Sequence, residues 1–240
     1  MQLKLIARLI IITPLFLRRF LRRLGLTPII DIFLTKEEGE LIFQLTWVNK
    51  FRKNKNKLLQ YWNKSRSLEQ IKKICQFKKK TKVLDVGCGI MTVLHFIKGR
   101  RYGIDPLIDE YKKIYSYPKG INVIKAGAEK TPFPANFFDV VFCTNALDHV
   151  NDIKQAVAEI TRVLKTKGYF VLIVDIFKKK HRRDVPHPYT LTKKDVLFLI
   201  KKNFKIIFEN KSTQSRSDLY MKNKPSKRKF QELVLILKKE

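Results

Sequence analysis

The sequence predicts an α/β fold: a doubly wound, mostly parallel sheet with helices on both faces. Three observations predict it. After Lys80, short apolar runs alternate with amphipathic ones. Two glycines, Gly87 and Gly89, stand where the first apolar run gives way to the first amphipathic one. The second apolar run ends in a carboxylate, Asp105, eighteen residues after Gly87.

Taken in order, the chain begins with a segment that is both apolar and basic, "MQLKLIARLIIITPLFLRRFLRRLGLTP". Its longest uncharged run, from Leu9 to Leu17, falls well short of the roughly 20 residues that cross a bilayer. The charge is heaviest after the apolar run and no small-residue cleavage site follows, which disfavours secretion. Thr13 and Pro14 suit the start of a helix and Gly25 its end, so two short helices meet at Thr13. On a helical wheel Lys4, Arg8, Arg18, Arg19, Arg22 and Arg23 fall within an arc of roughly 140°, opposite Phe16, Leu17, Phe20, Leu21 and Leu24. A helix of this kind can lie among anionic headgroups or pack on its own domain as a lid; both readings stay open.

Residues 31–80 carry mixed signals. "LIFQLTWVNKF" fits a strand or a helix, whereas "NKLLQYWNKSRSLEQIKKICQF" reads as one or two helices with Ser67 as a candidate cap. Beyond Lys80 the periodicity predicts strands at 82–86, 101–104, 121–125, 138–143, 169–175, 204–209 and 231–238. Helices are predicted at 90–98, 107–115, 151–165 and 192–202. The expected organisation is a basic amphipathic extension over 1–50, leading helices over 51–80 and the alternating core over 81–240.

The 51 Lys and Arg against 21 Asp and Glu give a formal charge of +30. Residues 106–163 carry seven of each sign, so the excess lies elsewhere: six basic residues within 1–30, then "KFRKNKNK", "KKKTK", "KKKHRR" and "KNKPSKRK". Solvated lysine-rich faces and an anionic partner are both consistent with this. Cys75, Cys88 and Cys143 stand far apart, and the four histidines show no zinc-like spacing. The expectation is a reduced, cytoplasmic protein without a structural metal.

In such sheets ligands sit beyond the carboxyl ends of the strands, which is where "DVGCGI" lies. Gly87 and Gly89 let the backbone approach a ligand that a Cβ would push away. A dinucleotide fingerprint would need a third glycine where Thr92 stands, which disfavours a pyrophosphate cradle. Asp105 is placed to accept both hydrogen bonds of a ribose diol.

"VLDVGCG", "YGID", "AEKTPFPANFFDVVFCTNALDHV" and "AEITRVLKTKGYFVLIVD", in that order and spacing, resemble the class I S-adenosylmethionine-dependent methyltransferases of the type-11 group. The resemblance covers about 80–176 and continues weakly through "HPYTLTKKDVLFLIKKNFKII" and "ELVLIL". It implies a Rossmann-like, seven-stranded sheet whose last strand is antiparallel, and S-adenosylmethionine as cofactor. It also implies that Gly87 and Gly89 pass under the methionyl and ribose part, with Asp85 near the amino group and Asp105 on the ribose. Pro106 and Leu107 would flank the adenine and Ala128 and Glu129 its edge, while Asn145, Leu147 and His149 would lie beside the sulfonium and the acceptor. Two positions depart from the family: Met91 replaces a third glycine, and Gly127 replaces an acidic residue that takes the adenine amino group.

Methyl transfer from a sulfonium is an in-line displacement with a neutral leaving group, so positioning is the main requirement. A base matters only for an acceptor of high pKa, and His149 is the best candidate, with Asn145 beside it. His187, between Pro186 and Pro188, could reach the same rim or simply sit in a rigid loop. Tyr61 and Trp62 could close the pocket or belong to the core. The sequence has no zinc motif, no aromatic-rich RNA-binding signature and no amino-methylating [DN]-P-P-[YF] motif; "TNALDH" occupies that place. The expected acceptor is a small molecule or a lipid, with nucleic acid less favoured and a peripheral position at the inner face of a membrane through residues 1–26 left open. A catalytically silent module that binds the cofactor or RNA as a partner subunit is the alternative, and a nicotinamide oxidoreductase is weakened by Thr92.

Overall fold

The computed structural model describes residues 35–51, 59, 62, 65–180, 187–212 and 230–240. The two helices expected around Thr13, and Tyr61, lie outside the described residues. The segment that fitted either strand or helix is a helix, α1 (Lys36–Phe51), whose first turn carries Glu37 and Glu38, acids that suit a helix N-terminus. It crosses the boundary expected at residue 50. The next helix, α2 (Arg66–Cys75), is capped by Ser65, whose side chain accepts from the Leu68 N–H, and not by Ser67.

The alternating core forms as the periodicity requires. Its strands are β1 (Lys82–Val86), β2 (Arg100–Asp105), β3 (Ile121–Lys125), β4 (Phe138–Thr144), β5 (Leu164–Phe177), β6 (Phe204–Ser212) and β7 (Phe230–Lys239). They make one sheet in the order β3-β2-β1-β4-β5-β7-β6. The first five strands are parallel to one another, and β7 runs antiparallel to both β5 and β6. Among the described residues, three short helices connect them: α3 (Ile108–Lys112), α4 (Ile153–Val163) and α5 (Lys193–Ile200). Asp152 caps α4, and Thr192 with Asp195 makes a capping box on α5.

Alternation along the strands sorts side chains to two cores, because successive Cβ atoms point to opposite faces. From β5 and β7, Phe170, Leu172, Val174, Leu233, Leu235 and Leu237 go to one core. Val171, Ile173, Val234 and Ile236 go to the other, together with Trp62, Leu68 and Ile71. Each core buries more than a dozen large apolar side chains, at about 1.5–3 kcal/mol per fully buried residue before entropy is counted. Trp62 therefore belongs to the core rather than to a movable aromatic lid.

One predicted helix is missing. Where 90–98 was expected to be helical, the chain makes only a 3-10 turn, Val93–Phe96. Thirteen residues separate β1 from β2, and the glycine turn and the run into β2 use most of them. A whole crossover, turn and helix together, takes about a dozen residues, so once the glycine turn has used its share only a short helical turn fits. Thr92 caps the single turn, accepting from the Leu94 N–H and donating its hydroxyl to Asp85 Oδ2 at 2.6 Å.

Candidate active site

The strand order changes direction at β1: β2 lies on one side of it and β4 on the other. The loops leaving β1 and β4 diverge from this point, and an open cleft lies outside the strand ends. Gly87 and Gly89 form its floor in left-handed conformations, φ +66° and +49°. A Cβ on Gly87 would come within 2.3 Å of the Ala146 Cβ, so the loops after β1 and β4 touch only because Gly87 lacks one. Met91, where the family keeps a third glycine, has no positive φ. Its main chain suits any residue, and its carbonyl accepts the Trp62 indole N–H at 2.9 Å. The Tyr117 hydroxyl donates to the Gly89 carbonyl at 2.8 Å, so aromatic residues from two directions fix the loop.

Asp105 closes one side. Oδ2 accepts from the Gly89 N–H at 3.1 Å and Oδ1 from the Leu107 N–H at 2.9 Å, leaving each oxygen capacity for a further donor. Burial pushes its pKa up to about 7, reinforced by the charges of Glu40 and Asp85 and opposed by the two N–H donors. Pro106, Leu107, Ala126, Gly127 and Ala128 continue the wall. Glu129 also lines the cleft, but its Oε1 accepts from Asn151 N–H at 2.6 Å and so holds the approach to α4. The other wall is Thr144, Asn145, Ala146 and His149. Asn145 is left-handed at φ +46°, and its N–H donates to Ile173 O at 2.7 Å, turning the chain out of β4.

Of the residues expected at the site, Gly87, Gly89, Asp105, Pro106, Leu107, Ala128, Glu129, Asn145 and His149 line this cleft. Asp85 does not: it is buried behind the loop and bonded to Thr92, where it braces the turn. Leu147 packs in the core. The roof was not anticipated. Lys36, Glu37, Glu40 and Gln44 of α1 line the cleft, Lys36 Nζ donates to Asn151 Oδ1 at 2.6 Å, and Gln44 Nε2 donates to Glu40 Oε1 at 2.8 Å. Only their spacing on a helix could have signalled this, and the segment's pattern did not decide between helix and strand. The fold also brings His187, 38 residues away in sequence, against His149, with ring centroids 4.1 Å apart.

Residues 84–172 match a protein-family model described as a methyltransferase domain. Over these residues the chain is similar to that family. YcgJ of Bacillus subtilis, named as an uncharacterized methyltransferase, is 32% identical over 109 residues, 42% of this chain and 43% of that protein. The ubiquinone/menaquinone biosynthesis C-methyltransferase UbiE of Shewanella piezotolerans is 41% identical over 61 residues, 25% of this chain and 24% of that one. The chain thus matches under half the length of these curated relatives. The crystal structure of YcgJ superposes with a TM-score of 0.53 at 18% identity, over 72% of this chain and 97% of that one, a likeness of fold. The cleft occupies the space between the β1 and β4 loops and is roofed by α1.

Proposed function

We propose that the protein is an S-adenosylmethionine-dependent methyltransferase acting on a small-molecule or lipid acceptor. The observation that carries this reading is the pairing of the Gly87–Gly89 floor with the Asp105 carboxylate in one cleft at the strand-order switch. The residues present fit a sulfonium nucleoside. Gln44 Oε1, Thr144 Oγ1 and Asn145 Oδ1 are buried, have no hydrogen-bond partner among the described residues, and belong to residues lining the cleft. A buried polar atom without a partner costs about 1–3 kcal/mol, which a bound polar molecule relieves. Asp105 can accept from ribose hydroxyls, and the apolar edge of Pro106, Leu107 and Ala128 suits a purine face.

When bound, S-adenosylmethionine supplies an electrophilic methyl group on a leaving group that departs neutral. The protein's own work is alignment, which the rigid glycine floor and the α1 roof provide while excluding water. His149 stands at the acceptor end of the cleft, its Nδ1 3.6 Å from Glu40 and its Nε2 3.9 Å from Asp148 Oδ1. It is the group that can take a proton from a hydroxyl or carbon acid acceptor. The acceptor class draws support from a relative named for ubiquinone and menaquinone biosynthesis. Among the described residues no helix is long and apolar enough to cross a membrane, so a lipid acceptor would be met through the basic segment at residues 1–26.

Calorimetry with S-adenosylhomocysteine and with NAD separates the readings. Binding of the thioether alone is expected, and binding of NAD alone rejects the proposal. Transfer of label from methyl-labelled cofactor into separated lipid, small-molecule, RNA and protein pools then identifies the acceptor. Label in no pool, with the thioether bound, would favour a silent binding module.

A further inference from the structure

The sequence offers no metal-like spacing, yet among the described residues the fold gathers a candidate set of ligands. One ligand atom each from Asp148, His149 and His187 lies within 4.8 Å of the others. We propose that these three residues bind a divalent transition-metal ion at the acceptor end of the cleft, and that the ion holds an acceptor through oxygen. The proposal rests on the methyltransferase reading for the second part only.

Two imidazoles and a carboxylate form a donor set that grips one face of a first-row divalent ion and leaves other positions open. Ligand atoms at about 2.1 Å from an ion stand roughly 3.0–3.4 Å apart, so the cluster needs to contract by at most about 1.8 Å, within reach of side-chain torsions. The ring of His149 is flanked on both sides. Nε2 faces Asp148 Oδ1 at 3.9 Å, and Nδ1 faces Glu40 Oε2 at 3.6 Å. A histidine that ligates through one nitrogen and donates its other N–H to a carboxylate is the usual metal-site arrangement, with Glu40 as the orienting group. The loop bearing His187 is tied to this place: the Tyr189 N–H donates to Asp148 O at 3.4 Å, and its hydroxyl donates to Asn151 O at 2.7 Å.

His149 is shared by the cluster and the cleft, so the ion stands at the cleft wall. An acceptor hydroxyl coordinated there loses its proton to solvent at lower pH than in water. Its oxygen pair then forms the O–CH3 bond while the S–CH3 pair stays on sulfur, leaving a neutral thioether. In this state His149 is a ligand and not a base. The acceptor class that fits is a phenol, enol or vicinal diol.

The test is titration of the chelator-stripped full chain with Co2+, followed by visible absorption, with S-adenosylhomocysteine calorimetry in parallel. One Co2+ per chain with an intense ligand-field band is expected, weakened at least about tenfold in D148N and in H187Q. H95N, which alters a histidine paired with Tyr115, leaves the titration unchanged. Because Asp148 is buried and its variant can misfold, H187Q in the half-buried loop keeps the test decisive. No band, or a band unchanged in H187Q, overturns the metal site even if the thioether binds. A band that depends on His187 without thioether binding upholds the site and rejects its role in methyl transfer.

Discussion

The indole N–H of Trp62 donates to the main-chain carbonyl of Met91 across 2.9 Å, tying a residue upstream of the sheet to the loop that floors the cleft. Trp62 is 1% exposed, so neither partner has water as an alternative. Replacing it with Phe keeps most of the apolar contact and removes the donor. W62F is expected to cost about 1–3 kcal/mol in denaturant unfolding and to weaken S-adenosylhomocysteine binding, because the loop loses one of its two aromatic anchors. Unchanged values for both would show that the bond does not position the loop.

Asp105 predicts two opposite pH trends. Its pKa in the folded protein is raised to about 7, mainly by burial, against an ordinary value of 3.8. The folded state therefore binds this proton more readily than the unfolded one. The associated stability is fully present below about pH 4 and is lost as pH rises through about 7. Nucleoside binding runs the other way, since the ribose hydroxyls need an ionised acceptor, and affinity for S-adenosylhomocysteine should rise through the same window. D105N should flatten both trends and lower affinity by about 10–100-fold. Thermal melts and calorimetry between pH 5 and pH 9 measure the two slopes.

Glu159 has the reverse sign. Arg162 donates to both of its oxygens, and Thr131 adds N–H and hydroxyl donors, which pull its pKa down to about 2 against the cost of burial. Arg162 also donates to Phe133 O at 2.8 Å, so the pair locks the 131–133 loop against α4. This stability is present above the ordinary value of 4.5 and is lost as pH falls through about 2. E159Q should lower stability by about 1–3 kcal/mol at pH 7, with a smaller gap at pH 3, read from urea midpoints.

The basic segment at residues 1–26 carries a separate prediction. We propose that its Arg row meets anionic headgroups while Phe16, Leu17 and Phe20 enter the acyl boundary. Deleting 1–26 is expected to abolish cosedimentation with phosphatidylglycerol-containing vesicles, and high salt to weaken that of the full chain. Cosedimentation that survives the deletion would assign the segment another task.

The sheet was legible because each strand pattern is local. Val83 and Leu84 to Asp85, or Phe170 to Val174, place their faces by period alone, and all seven predicted strands formed within a few residues of their expected bounds. The crossover at 90–98 differs from the expected helix because its apolar spacing satisfies one, whereas the glycine turn and the run into β2 take up most of the connection and leave a single turn. Period cannot report how much chain a connection has available.

The same division runs through the site. Gly87, Gly89 and Asp105 were readable because the conformations they permit and the hydrogen bonds they offer are properties of the residue types themselves. Asp85 lies outside the lining of the cleft because its direction depends on the Thr92 hydroxyl that captures it. Whether Gln44 roofs the cleft, and whether His187 stands 4.1 Å from His149, depends on how segments distant in the chain pack. By itself the sequence determined the alternating sheet and the glycine turn with its acidic partner, since these follow from backbone sterics and side-chain period. Only the tertiary structure decided the roof, the brace and the Asp148–His149–His187 cluster, because proximity between remote residues is created by burial of the two cores and is written in no local pattern.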